Sequence, residues 1–430
     1  MTFRTLEQLA DVVGRTSTAL SKGLADRLLT SPTVVDIQPA SLREIDPNAT
    51  KELVNAAREL ECLVQGPGQM LSILAFAYHD ITSLGTLIEF NIPSLVPLDG
   101  TVSIAALASQ TGLSEDKLSR IIRYATTNFI FYEPSPGNIA HSAASAALAR
   151  DEQFSMFLRL VLVELAPIAV SLPAACKKWP QSEKPNECGV NAMSGTNDKF
   201  FEWLSRDARR QETFDAGMAG FSGAAGENGD RPQSVDVTAY PWVEKLGKAA
   251  KVVDVGGGSG HVSQALACTY PGFSLTVQDR PEAIKSNSSQ PNLPPNLTFQ
   301  AHNFFSPQVL HGADAYFLRQ IMHDWPEAEA VSILRALIPA LKPGARVLVS
   351  EYVVPATKRL NENQAMSLLD AKMVRQMDLQ MMAVFNSKER TVEDFAKLFA
   401  KADPRLRFAG TYQIPEDPKS CIFEAIWEEQ

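Results

Sequence analysis

An α/β fold built on a doubly wound, mostly parallel sheet is predicted for the C-terminal half of this 430-residue chain, behind a mostly α N-terminal domain. Two observations carry the prediction. Beyond Val237, the runs "KVVDV", "SLTVQD", "AYFLRQ" and "RVLVSEYVV" alternate with helical or loop text, which is the order of a parallel sheet covered on both faces. Between the first run and its helix lies "GGGSG", a glycine turn at the crossover where open parallel sheets bind nucleotide-like ligands.

The elements follow in chain order. Residues 1–50 read as a helical arm, because "MTFRTLEQLADVVGRTSTALSKGLADRLL" places apolar residues at helical spacing without a secretory core. Residues 51–235 read as a helical domain. Within it, about 100–150, "SIAALASQTG" is a helix ended by Gly112, "SEDKLSRIIRYATT" a second helix capped by Ser114, and "FIFYEPSPGNIAHS" a hairpin around Pro136-Gly137. Together these make a winged helix. Lys117, Arg120 and Arg123 on its second helix are a thin footprint for DNA, so packing is the expected use and DNA binding the alternative. The apolar window "FLRLVLVELAPIAVSLPAA" contains Arg159, Glu164, Pro167 and Pro173, so it reads as core helices rather than a membrane span. Residues 236–430 form the sheet domain, where "RFAGTYQI" and "CIFEAIW", with no helix between them, pair antiparallel at the sheet edge.

A net charge of −9 gives no general pull toward nucleic acid or anionic membrane. Five scattered cysteines without a C-x-x-C pair suggest a reducing compartment, and the expected location is cytoplasmic.

The glycine turn discriminates between ligands. Gly256, Gly258 and Gly260 give G-x-G-x-G, and His261 stands where a dinucleotide fingerprint needs its third glycine, which disfavours a pyrophosphate. Asp254 ahead of the turn suits a cationic amino group and would repel phosphates. Asp279, ending the second strand, suits both hydroxyls of a ribose. S-adenosylmethionine fits this set best.

From roughly residue 85 to its end, the chain resembles the plant and fungal S-adenosylmethionine-dependent O-methyltransferases that act on phenols and polyketides. The matching pieces, in the family's order, are "VVDVGGGSG", "VQDRPEAI", "HNFF", "RQIMHDWP", "KPGARVLVSEYVVP" and "KERTVEDF". The resemblance implies a homodimer with a Rossmann-like cofactor domain, and cofactor contacts at Gly256, Gly258, Asp279, Arg280, Asn303, Phe304 and Arg319. Asn303 replaces the family's commoner aspartate and Arg319 the lysine of plant members. The resemblance also implies an acceptor pocket formed by the helix "MVRQMDLQMMAVF" with Met373 and Met377, together with Met218, although methionine stripes serve equally well as core.

His323 in "IMHDWP" sits at the carboxyl edge of the sheet. A phenol, with a pKa of about 10, is mostly protonated at neutral pH, and an imidazole near 6.5 is able to take its proton. Glu351 and Glu389 match the two acidic positions that flank the base in the family. Asp324 is expected beside the substrate, or in a supporting role, with its side chain pointing away from His323. No H-x-x-x-H occurs and no compact Asp/Asn cluster that would hold magnesium against a catechol is expected around His323, so no metal is expected. The predicted activity is methylation of an aromatic or polyketide hydroxyl. The alternative is a cofactor-binding scaffold turned to a non-methylating cyclisation, dehydration or pericyclic rearrangement.

Overall fold

The computed structural model describes residues 4–223, 235–287, 293–354, 368–414, 417 and 419–429. The chain divides into two compact units, residues 1–167 with 207–230 and residues 168–206 with 231–430.

The first unit opens with the helix Leu6–Asp26, started by a reciprocal cap between Thr5 and Gln8. It packs on the helix Pro47–Phe76 through Leu9, Leu20, Ala49 and Ala56, all buried. That second helix is not continuous, because Gly66 has φ +72° and Pro67 follows it. The strand β1 (Val102–Ser103), the helices Ile104–Thr111 and Glu115–Thr126, and the strands β2 (Tyr132–Ser135) and β3 (Asn138–Ala140) come next, with sheet order β1-β3-β2. Gly112 ends the first of these helices in the left-handed region, and Ser114 caps the second by accepting from Lys117 N. Two of the three basic side chains on that second helix are engaged, Arg123 with Glu133 at 3.0 Å and Arg120 with Asp116 at 3.8 Å.

Two stretches, Pro47–Glu89 and Glu152–Lys178, are apolar and long enough by composition to cross a membrane; most of the first is exposed in the single chain, and most of the second is half-buried. The expectation that "FLRLVLVELAPIAVSLPAA" is core is corrected here: only 11% of the most apolar window of Glu152–Lys178 is buried. Apolar content alone does not say whether the covering surface comes from the same chain.

In the second unit, the seven-stranded sheet runs β6 (Leu297–Ala301), β5 (Ser274–Asp279), β4 (Lys251–Val255), β7 (Ala315–Arg319), β8 (Arg346–Tyr352), β10 (Ser420–Trp427), β9 (Leu406–Gln413). β4 to β8 are parallel, and β10 runs antiparallel to both its neighbours. Period-two alternation feeds both faces: Val253, Tyr316, Leu318 and Val349 pack with Phe395 and Phe399 on one side, while Val252, Phe317 and Leu348 pack with Trp242 and Leu266 on the other. Phe395 stacks on Phe423 with ring centroids 4.0 Å apart. Glu424, a carboxylate buried in the second layer, is satisfied: it accepts from Tyr240 Oη at 2.7 Å and Tyr412 Oη at 3.1 Å, and pairs with Arg346.

Residues 168–206 pack within this unit. Gly189 lies so close to the carbonyls of Ile168 and Ala383 that a Cβ would stand 2.7 Å from each, and the rings of Phe200 and Phe385 meet edge-on at 5.1 Å.

Candidate active site

The glycine turn joins β4 to the helix His261–Thr269, with Gly256, Gly258 and Gly260 at φ +75°, +56° and +73°. The left-handed region disfavours side chains, and at Gly256 a Cβ would also meet Ile321 Cδ1 at 2.6 Å. At Gly258 a Cβ would meet nothing within 4 Å, so the turn faces open space there. Gly256 N and Gly257 N donate to the carbonyl of Gln278, and Gly258 N donates to Asp279 Oδ2 at 2.8 Å. These amides are therefore engaged with protein oxygens and do not present the N–H row that a phosphate takes. The cradle fits a nucleoside ligand without phosphates.

Asp279 ends β5 and also accepts from Arg280 N at 2.7 Å. Arg280 lies over the ring of Phe201 at 5.6 Å. Asn303 is exposed beyond β6, with Oδ1 accepting from Phe305 N at 3.0 Å, and Phe304 meets the edge of Trp325 at 6.0 Å. Arg319 is half-buried at the end of β7. Asp254 is buried beneath the turn, where it accepts from Ser263 Oγ at 2.6 Å, so its carboxylate ties the turn to the following helix.

His323 stands in a short 3₁₀ turn, Met322–Asp324, directly after β7. Its Nδ1 lies 2.8 Å from Glu389 Oε1 and 3.6 Å from Glu351 Oε2. Glu351, on β8, uses Oε1 on the backbone, accepting from the amides of Ile321 at 2.9 Å, Met322 at 2.7 Å and His323 at 3.4 Å. The expectation that Asp324 points away is corrected. Its Oδ1 lies 3.5 Å from His323 Nε2, because the 3₁₀ turn folds adjacent side chains toward each other where a strand would alternate them.

Burial opposes a charge on His323, but Glu351, Glu389 and Asp324 outweigh it and hold its pKa well above 6.5. Burial pushes Glu351 up to about 7 and Asp324 up to about 6, against the pull of the imidazolium. The His323 ring is thus enclosed by three acidic side chains, which favour its protonated form.

A family model described as an O-methyltransferase domain matches residues 179–403. A chlorophenol O-methyltransferase of Trichoderma longibrachiatum is 36% identical over 380 residues, covering 87% of this chain and 79% of the relative. The chain belongs to the O-methyltransferase family. It is a methyltransferase, and its cofactor is S-adenosylmethionine. Two solved structures share the fold: LepI in complex with S-adenosylmethionine (21% identity, TM-score 0.73, 98% of this chain and 100% of that one) and a protein described as a pericyclic reaction enzyme (22%, TM-score 0.75, 98% and 100%).

The methyltransferase's remaining candidates separate by position. Met377 is half-buried and Met373 is 48% exposed on the helix Leu368–Phe385, while Met381 of the same stripe is core. Met218 lies in the first unit and is exposed. As expected of the two flanking glutamates, donor atoms of His323, Glu351 and Glu389 fall within 4.8 Å of one another. Nδ1 faces Glu389 and Glu351 Oε1 faces three amides, so these donor atoms are already engaged within the protein.

Two groups escaped the sequence reading. Phe201 meets Trp325 at 6.2 Å and Phe385 at 5.5 Å, an aromatic wall assembled from three distant segments. Arg390, inside the motif "KERTVEDF", is fully buried against the turn that carries His323. The signal for it was an arginine directly after a flanking glutamate.

Proposed function

We propose that this methyltransferase methylates a hydroxyl of an aromatic or polyketide secondary metabolite, with His323 as the general base. The observation that carries the reading is the contact between His323 Nδ1 and Glu389 at 2.8 Å, with Nε2 on the opposite edge of the ring. Gly256, Gly258, Asp279, Arg280, Asn303, Phe304 and Arg319 would hold S-adenosylmethionine. When bound, it supplies a methyl group already activated on a sulfonium. The protein's task is then to make and aim a nucleophilic oxygen. Neutral His323 takes the phenolic proton at Nε2, and the imidazolium that results is enclosed by Glu389, Glu351 and Asp324. Phe201, Trp325 and Phe385 offer flat surfaces to an aromatic acceptor, with Met373, Met377 and Asp324 as further substrate contacts. The relative named for chlorophenol supports a phenolic acceptor class.

The apolar faces of Pro47–Glu89 and Glu152–Lys178, exposed and half-buried respectively, support a homodimer in the cytoplasm rather than a membrane protein. Arg159 of the second stretch pairs with Glu89 of the first at 2.6 Å, and Gly66-Pro67 interrupts the first.

The test is His323→Gln with labelled S-adenosylmethionine and a panel of phenols. Turnover should fall about 10²–10⁴-fold with cofactor affinity kept, and part of it should return as pH approaches the phenol's own pKa. Undiminished turnover at neutral pH would remove His323 as the base. Conversion of an acceptor without label transfer would favour a rearrangement, for which the pericyclic neighbour offers only a shared fold.

A further inference from the structure

The turn carrying His323 is gripped on two sides from one strand end. Glu351, on β8, takes three successive amides of Ile321, Met322 and His323. Arg390 takes the carbonyls: Nη1 donates to Met322 O at 2.5 Å and Nη2 to Trp325 O at 2.8 Å. The backbone of Arg390 is itself anchored just beyond β8, where it bridges Val353 and accepts from Val354 N at 3.1 Å. Core packing of Met322 and the bond from Gln320 N to Ser350 O at 2.9 Å also hold the turn, but neither fixes its carbonyls. Its own bonds are long, Asp324 N to Ile321 O at 3.2 Å and Trp325 N to Met322 O at 3.4 Å, and Gln320 enters it at φ +52°, an unfavourable region for a side chain. Burying a guanidinium whose side chain is 0% exposed is expensive where a hydrocarbon would fill the space, which argues for a directional task.

We propose that Arg390 is a positioning residue for the reaction: by fixing the carbonyls of Met322 and Trp325 it keeps the His323 imidazole on Glu389, with Nε2 turned to the acceptor. This rests on the reading of His323 as the base. Nδ1 is held at 2.8 Å, and a loosened turn would let the ring leave that carboxylate.

Arg390 also lines an open cleft of about 480 Å³ with Ser387, Glu327, Trp179 and Met382, so a truncated side chain leaves a hole reachable from solvent. The test uses full-length Arg390→Ala and Arg390→Lys without acceptor or cofactor. The His323 ring signal is followed by NMR through a pH titration and assigned by its loss in His323→Gln. Removing a nearby positive charge alone would raise the His323 midpoint. Losing the Glu389 contact would lower it. A lowered midpoint in Arg390→Ala, partly restored by added guanidinium and closer to wild type in Arg390→Lys, is expected. A raised or unchanged midpoint in the folded variants would overturn the proposal, and Arg390→Lys alone decides if the alanine variant does not fold. In turnover, kcat should drop about 10- to 100-fold with KM for S-adenosylmethionine within about twofold. If His323→Gln keeps full methyl transfer, the base reading fails by that result, whereas the titration still reports whether Arg390 holds the ring.

Discussion

Replacing Glu389 with glutamine isolates the charge from the geometry. The glutamine carbonyl still reaches Nδ1, the backbone bond from Glu389 N to Asp378 at 3.0 Å remains, and only the negative charge beside His323 is lost. The carboxylate is fully buried and 2.8 Å from Nδ1, so solvent screens the pair little, and a hydrogen bond of this charged kind is worth about 1.5–3 kcal/mol. At about 1.4 kcal/mol per decade, kcat/KM on the alkaline plateau should fall roughly 10- to 150-fold. The pH direction follows from the same contact. Glu389 raises the His323 pKa, so its removal lets the neutral imidazole persist to lower pH, and the acid limb of the profile moves acidward. The deficit should therefore be largest at alkaline pH and shrink as pH falls. The assay is initial-rate methyl transfer between pH 5.5 and 9.5 at about saturating cofactor. An acid limb that stays in place or moves upward, or a plateau equal to wild type, would show that Glu389 does not act on the base's proton.

Gly258→Ala should weaken S-adenosylmethionine binding at least about tenfold in calorimetry, because its methyl group enters the open space over the turn; both Gly258→Ala and Gly256→Ala bear left-handed strain of about 1–2 kcal/mol, but Gly256→Ala should lower Tm further, since Ile321 already occupies that direction. Equal effects of the two variants would contradict the placement of the ligand. The folded His323 pKa lies above its unfolded value near 6.5, so its contribution to stability is complete below about that pH and is lost as pH rises through the folded value. The Tm difference between wild type and His323→Gln should thus narrow from pH 6.5 toward alkaline pH, and a widening gap in calorimetric scans would refute the raised pKa. Light scattering at micromolar concentration should give twice the 47.0 kDa chain mass, and a monomer would leave the exposed apolar helices unexplained.

Local pattern determined much of this protein in advance. "VVDVGGGSG" announced a buried strand, a positive-φ turn and a helix, because glycine, period and length act within a dozen residues. The same holds for Gly112 and Ser114 as helix punctuation and for His323 at the end of β7. β6 escaped notice although "LTFQA" alternates apolar and polar residues, because five residues at the sheet edge with one of them buried make a short, weakly apolar signal. Tertiary structure decided what long-range contact decides. His323 and Glu389 are 66 residues apart, and only the fold shows that Glu389 meets the ring while Glu351 binds three amides of its turn. Asp324 turned toward Nε2 through a 3₁₀ turn that no pattern announces, and Arg390 became a buried clamp by a crossing of β8 with the loop after Phe385. Composition placed the apolar window "FLRLVLVELAPIAVSLPAA" inside, yet the chain leaves most of it only half-buried, because hydrophobicity sets how strongly a surface leaves water and says nothing of which molecule covers it.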